Sequence, residues 1–153
     1  MSTVTSSPRL PYPRLAPAPY KALLELSGVV KAGSLGQQLI DLIFLRVSQI
    51  NGCAYCVDLH WRDLIALGED PRRLNSLLAW HENDFWTPRE RAALLWAESL
   101  TRVIETHAPD TDFETLKLHF SDTEISELTF VVALMNSWNR IAIGMRMPVA
   151  KEA

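Results

Sequence analysis

The sequence has little cysteine, two residues among 153, and this scarcity excludes a disulfide-stapled scaffold of the kind common in small secreted domains. It has no run of roughly 18 uncharged apolar residues, which a membrane-spanning helix requires. Its first twenty residues contain no apolar segment typical of a secretory signal. We therefore expect a cytoplasmic protein that does not bind membranes and whose thiols are normally reduced.

The sequence also lacks clusters of basic residues and the alternating pattern that is typical of β-strands. The net charge is -3 and lysine and arginine form no run, so we expect no nucleic-acid partner. No segment alternates apolar and polar residues between turn signals, which argues against β-strands, and no internal repeat occurs. Apolar residues, by contrast, make up 48% of the chain. This abundance predicts apolar surface that is shared with another chain.

The first twenty residues form a separate segment. Five prolines lie between Pro8 and Pro19. Because proline lacks an amide hydrogen and is excluded from helix interiors, we expect residues 1–20 to be an extended arm, partly in the polyproline II conformation. We expect this proline-rich arm to dock on a neighbouring subunit, and residues 21–153 to form a single domain.

After the arm the sequence predicts an all-α domain of about seven helices. Glycines that end helices and residues that cap them place these helices at about 20–31, 34–49, 53–67, 71–82, 88–106, 112–119 and 122–146. Ser34 is the expected cap of the second, and the last three begin at the capping boxes Thr87–Glu90, Thr111–Glu114 and Ser121–Glu124. The last helix is apolar on more than one face, which indicates either a central core helix or a subunit contact.

Residues 49–60, QINGCAYCVDLH, contain both cysteines and a histidine four residues after the second. On a helix that starts near Cys53, the side chains of Cys53, Cys56 and His60 share one face. Two thiols at this spacing can close a small disulfide ring, and a helix N-terminus lowers the pKa of a cysteine. Histidine is the side chain best suited to move protons near neutral pH. The pattern predicts an activated thiolate, a resolving thiol and a proton carrier.

Other interpretations of these residues stay open. The cysteines could be two small buried hydrophobes beside a core histidine. A structural zinc site needs four ligands, and only Cys53, Cys56 and His60 lie close together in the sequence. The spacing of the other histidines gives no reason to choose a fourth ligand among them; they are His81, His107 and His119. We therefore predict no metal and no cofactor. A thioredoxin fold is disfavoured because the chain lacks βαβ units.

A longer stretch, DLIFLRVSQINGCAYCVDLHWRDLIALGED, resembles the core motif of the carboxymuconolactone decarboxylase-like superfamily, in its alkyl hydroperoxidase D (AhpD-like) branch. The stretches WTPRERAALLWAESLT and HFSDTEISELTFVVALMNSWNRIAIGMRMP also match, so the resemblance covers about residues 35–148. It implies a helical fold that assembles as an obligate type of homo-oligomer, a trimer or hexamer. It also implies reduction of a hydroperoxide substrate by two cysteines that cycle through a disulfide, with a dithiol or protein disulfide as electron donor.

The resemblance carries a proton relay over to Cys53, Cys56 and His60. It adds Asp41, twelve positions before the first cysteine, where the family usually has glutamate; Tyr55 stands where some members have histidine. We predict a thiol-dependent hydroperoxide reductase in which Cys56 attacks and Cys53 resolves, because His60 is one turn from Cys56. The competing argument is that Cys53 lies nearer the helix start and is expected to be more exposed. Asp41 is expected either to orient His60 or to hold a proton-relay water, and a carboxylate near His60 is expected to raise the pKa of the histidine.

Two alternative functions also stay open. The same dithiol could serve a non-enzymatic oligomeric redox sensor or binding module, which reacts once and changes its surface. The chain could instead carry out carboxymuconolactone decarboxylase-like chemistry on a small acid, which should survive the loss of both cysteines. The decarboxylase branch proper lacks the CxxC pair, so the pair favours peroxide reduction.

Overall fold

The computed structural model describes residues 7–150, which contain nine α-helices, one 3₁₀ helix and no strand. The helices are α1 Tyr12–Leu15, α2 Pro17–Lys31, α3 Gln37–Asn51, α4 Ala54–Ala66, α5 Pro71–Ser76, the 3₁₀ helix Leu77–Glu82, α6 Pro88–Thr101, α7 Val103–Thr106, α8 Asp110–Lys117 and α9 Asp122–Met145. The all-α prediction is confirmed. Within residues 7–150, no helix combines the length and the apolar character needed to cross a membrane.

Two of the predicted helices are broken into shorter pieces. The segment 71–82 changes from α5 to the 3₁₀ helix after Ser76, and Ala79 leaves helical geometry with φ -116° and ψ 38°. The segment 88–106 breaks at Arg102, whose φ of -101° and ψ of 36° separate α6 from α7. Neither break is marked by glycine or proline, so the local sequence gave no sign of them.

The extended conformation predicted for the proline-rich arm is wrong over residues 12–20. Helix α2 begins at Pro17, in the first turn of a helix, where the missing amide hydrogen costs nothing. Tyr20 then packs edge-on against Trp138 of α9, with ring centroids 5.9 Å apart. The segment therefore lies on its own chain. Residues 1–6 fall outside the described residues, and both the domain boundary and the docking on a neighbour stay predictions.

Helix α3 lies at the centre and packs against α4, α6 and α9. Every residue from 40 to 48 is buried. Fully buried leucines, Leu64 of α4 and Leu128 of α9 among them, complete the core, and each contributes about 1.5–3 kcal/mol of transfer free energy. Three buried residues of α3 are polar, namely Asp41, Arg46 and Ser48. Because a buried polar group needs a partner, these three residues indicate where polar interactions lie inside the core.

Two of the three predicted capping boxes are confirmed. The hydroxyls of Thr87 and Ser121 each accept a hydrogen bond from the amide of the glutamate three residues later, and that glutamate accepts one from the cap amide. The box predicted at Thr111 is wrong, because α8 begins two residues before the predicted start, at Asp110 after Pro109. Proline has a fixed φ and directs the chain into the helix at that point, so Thr111 lies inside the first turn.

The cap predicted at Ser34 is also wrong. Helix α3 begins at Gln37, after Gly36, whose φ of 83° is readily adopted only by glycine. The hydroxyl of Ser34 instead donates to the carboxylate of Glu127 at 2.6 Å, and its amide donates to the same carboxylate at 2.9 Å. Ser34 thus ties the α2–α3 loop to α9 and leaves the start of α3 without a side-chain cap.

Candidate active site

The stretch that contains the cysteines forms a tight turn between α3 and α4. Gly52 has a φ of 69°, in the left-handed region that glycine adopts without strain. The amide of Gly52 donates to the carbonyl of Gln49 at 3.2 Å, and that of Cys53 donates to the carbonyl of Ser48 at 3.0 Å. These are the two bonds of a Schellman motif. The turn ends α3 at Asn51 and makes Cys53 the N-cap of α4.

Cys53 and Cys56 are joined by a disulfide, with their Cα atoms 5.3 Å apart, as their spacing predicts. The structure therefore represents the oxidised state. The amide of Cys56 donates to the sulfur of Cys53 at 3.3 Å, so the side chain of Cys53 caps the N-terminus of α4. The two residues are 1% and 3% exposed. The expectation that Cys53 is the more exposed is wrong, because the turn packs the start of α4 into the core.

Hydrogen bonds between side chains hold this turn against α9. The amide nitrogen of Asn51 donates to the side-chain oxygens of Asn136 at 3.0 Å and Asn139 at 2.9 Å. Asn139 is fully buried and donates in turn to the hydroxyl of Ser48 at 3.0 Å. Amide side chains both donate and accept, so they can satisfy one another in the core. Sequence reasoning missed this network, although two asparagines within an apolar stretch of helix were a signal of it.

His60 lies one turn after Cys56 on the buried side of α4 and is 5% exposed. The ring of Phe44 packs against it, with centroids 5.0 Å apart. Two carboxylates face its Nδ1 atom: Asp63 Oδ2 at 3.5 Å and Asp41 Oδ1 at 3.8 Å. The structure thus brings Asp41 to the histidine, as the short turn predicts. It adds Asp63, which sequence reasoning missed although it lies three residues after His60 on one helix.

Asp41 is fully buried in α3. The ammonium group of Lys31, the last residue of α2, lies 3.3 Å from its Oδ1 atom. Burial raises the pKa of Asp41 above its ordinary value, and the charge of Lys31 opposes that rise. A buried carboxylate stays ionised only where a positive charge or strong donors compensate it. Lys31, which the sequence did not single out, supplies such a charge.

Burial lowers the pKa of His60 to about 4; Asp63 opposes this change and Lys31 adds to it. The expectation that a carboxylate raises the pKa above its ordinary value is therefore wrong, because the loss of water around the ring outweighs the nearby negative charge. At neutral pH the imidazole is uncharged. One of its nitrogens then has a free lone pair that can accept a proton.

The donor atoms of Asp41, His60 and Asp63 lie within 4.8 Å of one another, and in residues 7–150 this is the one cluster of its kind. A metal ion held there would be repelled by the ammonium of Lys31, 3.3 Å from Asp41. The zinc alternative drawn from the sequence needs thiolate ligands, whereas the two sulfurs here are bonded to each other. Both observations argue against a metal ion at this cluster.

Comparison with known proteins identifies the family. A sequence profile of the Carboxymuconolactone decarboxylase family matches residues 17–99. The chain belongs to the carboxymuconolactone decarboxylase family. The matched range includes the whole candidate site, from Lys31 and Asp41 to the disulfide, His60 and Asp63.

Three relatives define the branch of the family. The chain is 36% identical over 139 residues to the uncharacterized protein YdfG of Bacillus subtilis (strain 168), covering 91% of this chain and 95% of YdfG. It is 41% identical to a solved Agrobacterium tumefaciens protein of unknown function, a candidate AhpD antioxidant defence protein, with a TM-score of 0.92 over 95% of this chain and 99% of the other. It is 27% identical to an uncharacterized peroxidase-related protein from Silicibacter sp. TM1040, with a TM-score of 0.77 over 86% and 70% of the two chains.

These similarities confirm the resemblance drawn from the CxxC motif, and they place the chain in the AhpD-like branch of the family. The AhpD-like helical fold is confirmed with them. Membership of the family, together with these relatives, supports an enzymatic activity of the oxidoreductase type.

Proposed function

We propose that this chain reduces organic hydroperoxides with a dithiol that cycles through the Cys53–Cys56 disulfide. The observation that carries the proposal is the disulfide at the start of α4 with His60 one turn later on the same buried side. The two carboxylates at Nδ1 of His60 support a role in moving protons. The peroxidase-related relative from Silicibacter adds support from the family.

The proposed cycle begins from the reduced dithiol. The thiolate of Cys56 attacks one oxygen of the hydroperoxide: a sulfur–oxygen bond forms, the oxygen–oxygen bond breaks, and an alcohol leaves after taking up a proton. Cys56 is then a sulfenic acid. The thiol of Cys53 attacks that sulfur, which forms the disulfide and releases water. An external dithiol reduces the disulfide and is itself oxidised to a disulfide, which closes the cycle.

His60 has the role of proton carrier in this cycle. Its Nδ1 faces Asp41 and Asp63, so the proton of the neutral ring belongs on Nδ1, where the carboxylates attract it. Nε2 is then left as the acceptor. It takes the proton of the attacking thiol and returns it to the oxygen of the leaving alcohol. Cys56 is the better placed nucleophile for this transfer, since it precedes His60 by one helical turn.

Replacing each cysteine separately tests the proposed cycle, because each variant serves as the matched control for the other. Peroxide turnover is measured with an excess of dithiol for the wild type, Cys56→Ser and Cys53→Ser. We expect both variants to lose turnover, and only Cys53→Ser to accumulate a sulfenic acid, detected by mass spectrometry after trapping with a carbon nucleophile. Wild-type rates in Cys56→Ser would contradict the proposal. A single oxidation without turnover would favour the sensor, and decarboxylation of a small acid by a variant with serine at both positions would favour the decarboxylase alternative.

Asp41 provides a second test of the proposal. Asp41→Asn should lower turnover at least about tenfold, ~1.4 kcal/mol of transition-state stabilisation. Asp41→Glu restores the residue usual in the family and adds about 1.5 Å of reach, against the observed 3.8 Å from Oδ1 to Nδ1 of His60. It should match or exceed the wild-type rate. Asp58→Asn, on the exposed side of α4, is the control. Unchanged kinetics of Asp41→Asn from pH 6 to 8 would remove Asp41 from the relay.

Oligomerisation is a further part of the proposal. Helix α9 buries Leu128 and Val131 in the core, yet 61% of Phe130 and 37% of Ile143 are exposed on the same helix. Exposed large apolar side chains of this kind suit a subunit contact. We expect a homotrimer or homohexamer by light scattering. A mass of 17.3 kDa, that of one chain, at micromolar concentration would contradict this expectation.

A further inference from the structure

Lys31 has no part in the cycle above, yet it reaches the same buried cluster. It is the last residue of α2, where the helix dipole favours a cation. Its ammonium lies 3.3 Å from Oδ1 of Asp41 and 5.9 Å from the centre of the Phe44 ring. That ring in turn packs against His60. Lys31 therefore contacts the acid of the relay directly, and the histidine through one intervening side chain.

We propose that Lys31 is a positioning residue of this site, whose ammonium neutralises the buried carboxylate of Asp41 and thereby keeps His60 uncharged. The role of Lys31 in catalysis rests on the proposed function, because only an uncharged imidazole can take a proton from the attacking thiol. The effect of Lys31 on the charge of His60 does not rest on that function, because the charge of the imidazole can be measured without any substrate.

Burying the carboxylate of Asp41 is costly unless its charge is compensated. Asp41 has no exposed surface. Neither of its oxygens meets the geometry of a hydrogen bond to the described part of the chain, although the side chains of Lys31 and Gln37 lie close enough to lower the pKa of its carboxyl group. Its charge therefore needs a cation close by. Two groups can provide one: Lys31, at 3.3 Å, and a protonated His60, at 3.8 Å. One positive charge is enough, so the presence of Lys31 removes the need to protonate the histidine.

The surroundings of His60 support this assignment. The charged groups that face it are Lys31 from α2, Asp41 from α3 and Asp63 from its own helix. The side chain of Asp63 is 36% exposed, so water screens much of its charge. Asp41 is fully buried, so water does not screen its charge. Whether Asp41 is compensated by Lys31 therefore decides whether the cluster takes up a proton near neutral pH.

The test replaces Lys31 in the full-length protein and follows the imidazole of His60 by NMR over pH 3 to 8, with the resonance assigned by its loss in His60→Gln. Without the ammonium, Asp41 can recover a counter-charge only if the cluster binds a proton. We expect Lys31→Met and Lys31→Gln to raise the midpoint of the titration by at least about one pH unit. Lys31→Arg should keep the wild-type midpoint, because it keeps the charge.

Two controls separate this role from a structural one. Lys21→Met removes a lysine of the same helix that is 78% exposed, and it should leave the midpoint unchanged. The double variant Lys31→Met/Asp41→Asn should return the midpoint toward the wild-type value, because no buried carboxylate is left to compensate. Wild-type midpoints in both Lys31→Met and Lys31→Gln would overturn the proposal. So would a midpoint in the double variant that stays as high as in Lys31→Met.

The pH profile of peroxide turnover then tests the link to catalysis. In Lys31→Met, the acid limb of the profile should move upward by the shift seen in the titration, and Lys31→Arg should restore the wild-type profile. An acid limb that stays in place while the titration midpoint moves would overturn the positioning role. Absence of turnover in the wild type would refute the hydroperoxide reductase proposal, while the titration would still decide whether Lys31 sets the charge of His60.

Discussion

The buried imidazole of His60 makes a definite prediction about stability in acid. Its pKa is about 4 in the folded chain, against an ordinary value of roughly 6.5 that applies when the chain is unfolded. Above pH 6.5 the ring is uncharged in both states, so it contributes no pH dependence. Between pH 6.5 and 4 the unfolded chain binds a proton that the folded chain does not. The free energy of unfolding therefore falls as the pH falls through this window.

The size of the effect follows from the difference in pKa. At about 1.36 kcal/mol per unit, His60 should lower the free energy of unfolding by about 2 kcal/mol between pH 7 and 5, and by about 3 kcal/mol at pH 4. Asp41 acts in the opposite sense. Burial raises its pKa, so the folded chain keeps a proton on Asp41 where the unfolded chain has lost it, and Asp41 offsets part of the loss as the pH falls.

The assay is urea unfolding of the wild type and His60→Gln at pH 7, 6 and 5. Glutamine is a polar side chain that does not titrate, so the difference between the two pH dependences isolates the histidine. We expect the wild type to lose about 2 kcal/mol more than His60→Gln between pH 7 and 5. His119→Gln, a half-buried histidine outside the site, is the control and should follow the wild type. Equal slopes for the wild type and His60→Gln would refute the reasoning.

Other variants test the helix caps and the buried ion pair between Arg46 of α3 and Glu98 of α6. Thr87→Ala and Ser121→Ala each remove a confirmed cap and should lower the free energy of unfolding by about 1 kcal/mol. Thr111→Ala should cost clearly less in the same urea assay, since its hydroxyl caps no helix; equal losses at the three positions would contradict the cap assignments. Glu98→Ala should cost about 3–5 kcal/mol, because the guanidinium of Arg46, 7% exposed and 2.6 Å from the carboxylate, loses its partner. A loss below 1 kcal/mol by urea unfolding would show that this pair is dispensable.

Two of the three capping boxes, which depend on neighbouring residues, were predicted correctly, whereas features that depend on distant packing were not predicted. The caps at Thr87 and Ser121 use groups three residues apart, so the sequence displays both halves of each box. No local pattern marks the break after Ser76. The segment that follows it is bonded to α6 by Arg91, which donates to the carbonyls of Trp80 and Asn83, and a contact between such distant residues cannot be predicted from their neighbours.

The candidate site shows the same division. The pairing of the cysteines and the approach of Asp41 to His60 follow from a short motif and a short turn, and both were predicted. Lys31 was missed, although the predicted first helix includes it, because its contact with Asp41 depends on how α2 packs against α3. The direction of the pKa shift of His60 was predicted wrongly because it depends on the depth of burial beneath Phe44. Depth of burial is a property of the whole core.

The charges of Lys31, Asp41 and His60 determine how the site would respond when the disulfide is reduced. In the disulfide state the sulfurs carry no charge, Lys31 offsets Asp41, and His60 is uncharged. Reduction and ionisation of one thiol would add a negative charge on the buried side of α4, where water screens it little. The imidazole one turn away is the group best placed to take up the compensating proton. The burial that lowers the pKa of His60 in the disulfide state would thus strengthen its pairing with a thiolate, so that proton uptake follows reduction of the disulfide.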